Sequence, residues 1–349
     1  MQTYSKSTFR LCDDYTIGVI CTTEFGLTAF RHMLDEEHPG LEIPDSDTNK
    51  YILGSLYGHN IVLTCFPGNV GKCTAAIVAT HLIRTFTAIE SKFLVGTGGG
   101  VPSSKHDIRL GDVVIGMPDD NNCGIIQYDL RKCDDESFQL KGFLHPPPTG
   151  LRNIVWGMIS DHRGRENKIR EYVSEMVQKL GGLSLYSRPT QKDLFFKADY
   201  SHVSGETTCC NCDATNTVHR EDRWSPDRSR IHEGPIASAD SVMKSARERD
   251  EIIKNIGKVL CFEMEAAGVA TEYSFLTICG ISNYADSHKN DIWRYYAAAA
   301  AAATTKEIIS NLQPPEPSKT TLIALLSNLG LDISYTKLTG WSVVPVSAK

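Results

Sequence analysis

The stretch VLCFEMEAAG, residues 259–268, decides the fold class. Its first four residues are apolar and predict a short buried strand. Glu263 and Glu265 follow on either side of Met264, and small residues come next. Open α/β sheets bind their ligands at the carboxyl ends of strands, so the two carboxylates indicate a ligand site. The alternative is that both glutamates only complement the dipole of a following helix.

On both sides of this stretch, strand-like runs alternate with helical runs. Short apolar runs predict strands at 17–21, 51–56, 61–66, 93–95, 113–115 and 276–281. Helical spacing predicts helices at 24–38, 71–87, 165–180 and 295–311. A glycine loop, GTGGGVP at 96–102, follows one strand and lacks the spacing of a dinucleotide fingerprint or a P-loop. The alternation predicts an α/β sheet covered on both faces.

The composition is that of an ordinary globular protein. Of the 349 residues, 41% are hydrophobic and 22% are charged, and the net charge is -6. The mild acidity argues against a nucleic-acid partner, and no apolar run reaches a membrane-spanning length, so we expect neither nucleic acid nor membrane as a partner. Most of the eleven cysteines lie in apolar contexts, which predicts reduced thiols and a cytoplasmic location.

The chain is predicted to hold one domain and a tail. The domain spans residues 1–312 and includes a polar segment, 198–234, which we call the insertion. Irregular segments of this length are uncommon in compact domains unless they are functional, so the insertion is interpreted as a lid. The proline-rich stretch at 314–317 ends the domain, and residues 313–349 form a tail or linker.

The insertion carries a candidate metal motif. Cys209 and Cys212 form a Cys-x2-Cys pair, with Cys210 between them and His202 and His219 on either side. Such a set could hold zinc. Because the pair stands alone, we expect no metal, and we expect that no cofactor is required.

Three further segments accompany FEMEAAG in a fixed order. They are VICTTEFG at 19–26, IASADSVMKS at 236–245 and ISNYADSH at 281–288. Together they resemble the nucleoside phosphorylase and nucleosidase superfamily, which includes purine and uridine phosphorylases, over about residues 16–311. The segments LDEEH, GGGVPS, DIRLGDVVIG and YADSHKN further resemble fungal domains of this superfamily that often precede nucleotide-binding immune-receptor modules. Related immune-effector domains hydrolyse ATP at its N-glycosidic bond.

The resemblance carries implications for fold and partners. It implies a three-layer α/β/α fold with a central mixed sheet, of the nucleoside phosphorylase type. It also implies a homo-oligomer, a purine nucleotide or nucleoside as the small-molecule partner, and fusion or association with a nucleotide-binding immune receptor.

The resemblance also assigns roles around the sugar. It implies that Glu265 holds the ribose hydroxyls, that Met264 packs under the sugar and that Glu263 lines the same pocket. A carboxylate beside the oxocarbenium-like sugar also stabilises the developing positive charge. Glu24 is the candidate base that activates water, and its alternative role is that of an ordinary glutamate in the first turn of a helix.

Asn283 stands where purine-cleaving hydrolases of the superfamily carry the aspartate that protonates the leaving group. Asparagine can donate a hydrogen bond to N7 of a purine but cannot supply a proton as a carboxylic acid does. The asparagine is therefore either natural, as in some purine phosphorylases, or a disabling replacement of aspartate that traps substrate. The aspartate that the fungal subgroup carries just before YADSHKN favours the second account.

Other positions distinguish water from phosphate as the nucleophile. Leu94 occupies the place of the arginine with which the superfamily's phosphorylases hold inorganic phosphate, which favours water. Thr97 and Gly98 are expected to approach the sugar or the water. Val242 and Phe262 are expected to form the purine wall, with core packing as the alternative for Val242.

Arginines crowd the end of the insertion, and we expect Arg223 and Arg228 to bind a 5′-polyphosphate, with His288 and Lys289 facing it as well. The alternative is a solvated loop. The sequence thus favours hydrolysis of a purine nucleotide, ATP or dATP, to adenine and ribose 5-triphosphate. The other candidates are a purine nucleosidase or phosphorylase acting on adenosine or inosine, and a catalytically silent purine-sensing module.

Overall fold

The structure is a computed structural model that describes residues 10–68, 71–119, 122–133, 138–182, 184–225 and 227–313, and the strands at 331–336 and 340–345. The chain divides into two units, Met1–Leu312 and Gln313–Lys349.

The first unit is built on a central mixed sheet. Its strands, with one separate hairpin formed by β8 and β9, are β1 (Ile17–Cys21), β2 (Glu36–His38), β3 (Ile52–Leu56), β4 (His59–Cys65), β5 (Ser91–Gly100), β6 (Val113–Gly116), β7 (Ile125–Gln127), β8 (Arg131–Cys133), β9 (Phe138–Leu140), β10 (Ile231–Gly234), β11 (Ile236–Ser238), β12 (Cys261–Glu263) and β13 (Leu276–Asn283). The strand order is β10-β6-β13-β5-β1-β4-β3-β2, and β11 pairs with β7 and β12. Neighbours from β13 to β4 are parallel, whereas β6 and β12 run antiparallel to their partners β13 and β5.

Helices cover the sheet in two groups. They are α1 (Glu24–Arg31), α2 (Lys72–Thr85), α3 (Thr149–Asp161), α4 (Ile169–Lys179), α5 (Ala246–Ile256), α6 (Ala266–Ala270) and α7 (Arg294–Ile309). Helices α1, α3 and α4 pack against α7, which lies on β5 and β13, and α2 packs against α6. The predicted three-layer α/β/α fold with a mixed central sheet is confirmed.

Helix α7 is buried on all sides. Its seven consecutive alanines, 297–303, have almost no exposed surface. Gly280 of β13 lies directly opposite, and a Cβ added there would collide with the carbonyl oxygen of Ala297. Small residues on both partners therefore let the helix backbone lie almost against the strand backbone. A helical segment that is apolar all round, as this alanine run is, is expected in such a buried position.

Three sequence-based boundaries were wrong. The predicted loop at 96–102 is largely strand, because β5 continues through Gly100 and its glycines pair with β12 and β13. The helix expected at 24–38 ends at Arg31, since the following residues form β2 against β3. The end of the insertion is not irregular, because residues 231–234 form β10, which pairs in parallel with β6.

The rest of the insertion has little regular structure, yet it is anchored to the sheet. The guanidinium of Arg223 is buried and hydrogen-bonds both carboxylate oxygens of Asp112, at 2.8 and 2.6 Å. His232 Nε2 lies 3.0 Å from the same carboxylate. Arg220 forms an ion pair with Asp193 at 3.0 Å. These buried charge pairs hold the insertion in place.

In the second unit, the described residues are strands β14 (Leu331–Thr336) and β15 (Gly340–Pro345), which pair antiparallel as a hairpin. Across the described residues of the chain, no helix is both long enough and apolar enough to cross a membrane.

Candidate active site

A cleft of about 290 Å³ lies where several strands end. Its walls come from the segments that follow β1, β11, β12 and β13 and from the glycines of β5. The lining residues are Thr22, Thr23, Phe25, Thr97, Gly98, Gly99, Ser241, Val242, Met243, Phe262, Glu263, Met264, Glu265, Ser282, Asn283, Ala285, Lys289, Asn290, Asp291 and Arg294. Nine of the residues predicted from the sequence therefore lie together: Thr97, Gly98, Val242, Phe262, Glu263, Met264, Glu265, Asn283 and Lys289.

The two glutamates of this cleft have different partners. Oε2 of Glu263 accepts hydrogen bonds from the backbone amides of Glu265 and Ala266, both at 2.9 Å, so this oxygen caps the start of α6. Its Oε1 is buried and has no partner among the described residues. Glu265 accepts a longer bond, 3.3 Å, from the amide of Met264. The helix-capping role therefore belongs to Glu263, and Glu265 is the less committed carboxylate.

Both carboxyl groups hold their protons more tightly than usual. Burial raises the pKa of Glu263. Burial also raises the pKa of Glu265, and the negative charge of Glu263 raises it further. Two buried carboxyl groups that interact in this way resist losing both protons. The pair is thus suited to bind a ligand whose positive charge or hydroxyl donors favour the ionised form.

Asn283, at the end of β13, has a fixed orientation. Its Oδ1 accepts from the amide of Ala285 at 2.9 Å, and its Nδ2 donates to Ser282 Oγ at 3.0 Å. Ala285 has a positive φ of 52°, a conformation that is uncommon outside glycine and often found at functional sites. A Cβ at Gly99 would lie 2.7 Å from both Asn283 Oδ1 and Ala285 N, so glycine is required there. The second N–H of Asn283 remains available to a ligand.

An apolar wall lies beside Asn283 in the cleft. Phe262 is buried and meets Tyr128 edge-on, with ring centroids 5.5 Å apart. Met243 is also buried, whereas Val242 has 48% of its surface exposed. The core-packing alternative for Val242 is therefore wrong, since the side chain lies on the surface of the cleft.

Two cationic side chains are among the lining residues of the cleft. Lys289 and Arg294 line it, and the charge of nearby Lys244 contributes to lowering the pKa of Lys289, after the larger effect of burial. Arg294 donates to Asp291 at 3.1 Å and stacks over Phe25, with 5.4 Å from its guanidinium carbon to the ring centroid.

Four predicted site residues lie outside the cleft. Arg223 is enclosed by Asp107 and Asp112, and Arg228 pairs with Glu166, so neither guanidinium reaches the lining. The expectation that these arginines face a polyphosphate in the cleft is wrong, because the acidic residues of the domain already hold them.

Glu24 is exposed at the first position of α1, whereas its neighbours Thr23 and Phe25 line the cleft. His288 lies in an adjoining cavity of about 380 Å³, which shares Ser282, Asn283 and Asn290 with the cleft. The ring of His288 stacks on Phe196, with centroids 3.9 Å apart. Burial, followed by the charge of His202, lowers the pKa of His288 to about 4. A neutral, stacked imidazole is a poor phosphate ligand, so the expectation for His288 is also wrong.

Sequence reasoning missed several lining residues, among them Thr22, Thr23, Phe25, Asn290 and Arg294. Thr22, Thr23 and Phe25 lie inside VICTTEFG, Asn290 is the last residue of YADSHKN, and Arg294 follows four residues later. The signal that could have found them is position, because residues that follow parallel strands gather at one edge of the sheet.

Fold and cleft together define a nucleoside phosphorylase-like domain. Residues 192–310 match the family described as the Phosphorylase superfamily. That match covers about a third of the chain and includes Glu265 and Asn283 of the cleft. The chain is 36% identical over 303 residues to a nucleotide-binding leucine-rich repeat (NLR)-like protein of the fungus Hyaloscypha variabilis. The match covers 86% of this chain and 30% of that protein, so the chain spans about a third of the relative's length.

Solved structures share the fold at low sequence identity. The 5′-methylthioadenosine/S-adenosylhomocysteine nucleosidase of Neisseria meningitidis, in complex with methylthio-immucillin-A, is 20% identical with a TM-score of 0.55, over 85% of this chain and 99% of that one. The futalosine hydrolase of Helicobacter pylori is 16% identical with a TM-score of 0.52, over 86% and 99%. An Asp-to-Asn mutant of the H. pylori nucleosidase, with 5′-methylthioadenosine in its active site, is 15% identical with a TM-score of 0.51, over 85% and 99%.

Proposed function

We propose that the cleft hydrolyses the N-glycosidic bond of a purine nucleotide, ATP or dATP, and releases adenine and ribose 5-triphosphate or its 2-deoxy counterpart. The observation that carries the proposal is the convergence of Glu265 and Asn283 on one cleft from neighbouring parts of the sheet. Nucleosidases and a futalosine hydrolase among the structural neighbours support this reaction class.

In this proposal the sugar lies over Met264 and against Glu265. Breaking the bond leaves positive charge on the ribose ring, and a carboxylate in a dry cleft stabilises that charge strongly. Glu263 lines the same pocket, but one of its oxygens accepts from the backbone amides at the start of α6. Its buried and unpartnered Oε1 is free to accept from a ribose hydroxyl.

The purine lies between Val242 and Phe262 and meets the free N–H of Asn283. The leaving base departs more easily when N7 is hydrogen-bonded or protonated, and asparagine provides only the hydrogen bond. An aspartate would fit the same position, because one oxygen could keep the bond from the Ala285 amide while the other carries the proton. We therefore propose that Asn283→Asp increases turnover.

Water is the proposed nucleophile. Leu94, at the position of a phosphorylase arginine, is almost fully buried in β5 and cannot hold phosphate. Glu24 is the residue that we propose as the base. Its two sequence neighbours, Thr23 and Phe25, line the cleft. Its charge contributes to raising the pKa of Arg294, which also lines the cleft. Thr97, in the cleft wall, is a candidate to orient the attacking water.

The positive group formed by Lys244, Lys289 and Arg294 supports a nucleotide over a free nucleoside. Guanidinium and ammonium groups match the charge of a 5′-phosphate chain. A cleft of about 290 Å³ suits the nucleoside part of such a ligand, and the phosphates would then extend toward these cations.

The test is chromatography of ATP and adenosine digests, with and without inorganic phosphate, for this chain and for Asn283→Asp. We expect free adenine from ATP at equal rates in both buffers. We also expect Asn283→Asp to be faster by about 10²- to 10⁴-fold, the usual contribution of a positioned general acid. A strict requirement for phosphate, with a sugar 1-phosphate as product, would contradict hydrolysis.

Asn283 also favours a second candidate, a purine-binding module that does not turn over its ligand. One structural neighbour, an Asp-to-Asn mutant, holds 5′-methylthioadenosine in its active site. Tight purine binding by this chain together with no turnover in either the chain or Asn283→Asp would favour the binding module.

A further inference from the structure

The insertion brings three metal-binding side chains together outside the cleft. One ligand atom each from His202, Cys209 and Cys212 lies within 4.8 Å of the others. Cys209 and Cys212 are juxtaposed by a tight turn in which the amide of Cys212 donates to the carbonyl of Cys209 at 3.2 Å. Ligand atoms on a tetrahedral zinc ion are about 3.5 to 3.8 Å apart, so a shift of about 1 Å closes this group around an ion.

The hydrogen bond of His202 prepares one of its nitrogens for a metal. Nε2 lies 3.1 Å from the carbonyl oxygen of Thr208. A carbonyl oxygen only accepts, so Nε2 carries the proton and Nδ1 presents a free lone pair. Histidines that bind metals usually donate their other ring N–H in this way, which fixes the tautomer and the ring orientation.

A fourth nitrogen lies nearby. His288 is 94% buried, since only 6% of its surface is exposed, and its Nε2 has no partner among the described residues. Its ring meets that of His202 nearly edge-on, with centroids 5.4 Å apart. An unpartnered buried nitrogen carries a free-energy cost that coordination would remove.

We propose that His202, Cys209 and Cys212 bind a zinc ion and that His288 is its fourth ligand. The ion fastens the insertion to the loop after β13. The same group already contacts the cleft wall, because Asn290 donates to Cys209 Sγ at 3.6 Å and also lines the cleft. Zinc is the metal expected for two thiolates and two imidazoles in a tetrahedral arrangement.

Zinc binding must release protons here. Cysteine binds zinc as the thiolate, whereas an unperturbed cysteine thiol is mostly protonated at neutral pH. Each thiol loses its proton to solvent as its sulfur–metal bond forms, and affinity therefore rises with pH. An irregular insertion with few apolar contacts gains folding free energy directly from such a site.

The first test measures metal in the full chain, purified with reductant and without chelator, then stripped and reloaded with Zn²⁺ alone. We expect about one zinc per chain, as in a single structural site. Reloading with Co²⁺ should give a thiolate-to-metal charge-transfer band in the near ultraviolet and the visible bands of a tetrahedral ion. A chain that retains no zinc after reloading would overturn the proposal. So would a Cys209–Cys212 disulfide, detected by peptide mass spectrometry, in protein purified with reductant.

The second test uses neighbouring cysteines as matched variants. Cys209→Ser and Cys212→Ser should lose the ion, whereas Cys210→Ser should keep it, because Cys210 is exposed and outside the group. Chelation should lower the Tm of the unmodified chain and of Cys210→Ser. If the serine variants do not fold, Cys212→His, which preserves a ligand, should fold and bind zinc. Equal zinc content in all folded variants would place the metal elsewhere and overturn the site.

A third variant separates the fourth ligand. His288→Ala should retain zinc with weaker affinity and change the visible cobalt spectrum. An unchanged affinity and spectrum would overturn the assignment of His288.

Discussion

Glu263 and Glu265 are two residues apart in sequence but have different hydrogen-bond partners in the structure. Glu263 uses one oxygen to hold two backbone amides at the start of α6. Glu265 accepts a long bond from the Met264 amide, and the backbone of Gly71 also acts on it, but its side chain does not cap a helix and it lines the cleft. A carboxylate that already satisfies backbone donors responds little to a ligand, so the transition-state role falls on Glu265.

In an active background such as Asn283→Asp, Glu265→Gln should reduce turnover by at least about a hundredfold, the scale of one lost electrostatic contact in the transition state. Glu263→Gln is the matched comparison and should cost less in turnover, because an amide oxygen can still accept from the α6 amides. Steady-state release of adenine measures both. Near-normal activity of Glu265→Gln would contradict the transition-state role of Glu265.

Residues inside contiguous motifs could be located from the sequence, because residues next to a strand end lie at the same edge of the sheet. Met264 and Asn283 follow that rule. The partners of the insertion's arginines could not be located, since Asp112 lies 111 positions before Arg223 and no local pattern joins them. A guanidinium looks the same in sequence whether it faces a phosphate or a buried carboxylate.

At the scale of elements, the insertion is held by a buried ionic contact and not by a core of its own. Asp112 is almost completely buried and is contacted by Arg223 and His232. Burial alone raises the pKa of Asp112, but the hydrogen bonds from Arg223 and His232 outweigh burial and hold it at about 2. A carboxylate whose pKa is lowered by folding stabilises the folded state above its unfolded pKa, about 4.

Arg223→Ala should therefore lower the free energy of unfolding by about 3 to 5 kcal/mol at neutral pH, the cost of leaving a buried charge unpaired. The difference from the unmodified chain should shrink as the pH falls from about 4 toward 2, where Asp112 becomes protonated. Denaturant unfolding at a series of pH values measures this. Arg228→Ala is the control, and its half-exposed pair with Glu166 should contribute at most about 1 kcal/mol. Equal, pH-independent losses would contradict the anchor.

Strand β5 shows why element boundaries were harder to predict than element types. The five glycine and threonine residues after Val95 resemble a loop when the sequence is considered alone. In the structure, Gly98 and Gly99 remain in the strand, because the carbonyl of Phe262 and the turn at Asn283 approach the backbone too closely for a side chain. Local propensity predicted a break, and tertiary packing produced a strand.

At the scale of the whole molecule, an acidic chain carries cationic side chains at its cleft. The net charge is -6, yet Lys289 and Arg294 line the cleft, and the charge of Lys244 acts on Lys289. Long-range repulsion of an anionic ligand is screened over roughly 8 Å at physiological ionic strength, so these nearby cations dominate at contact.

The affinity of the unmodified chain, which carries Asn283, should therefore rise from adenosine to ADP to ATP. It should weaken as salt is added. Calorimetry of the three ligands measures the order. Lys289→Ala should remove most of the preference for ATP, whereas Arg228→Ala, outside the cleft, should preserve it. Tighter binding of adenosine than of ATP would indicate a nucleoside substrate.

The alanine run of α7 has a consequence for the precision of the site. Alanine has no χ rotation, so burying seven of them costs essentially no side-chain entropy and leaves no rotamers to rearrange. Behind β13, backbone meets backbone at Gly280, three residues before Asn283. Larger side chains would allow small repacking motions to reach the strand end. Asn283 therefore lies at the end of a strand whose supporting helix has almost no side-chain freedom. Its hydrogen-bond donor is already oriented before a ligand binds.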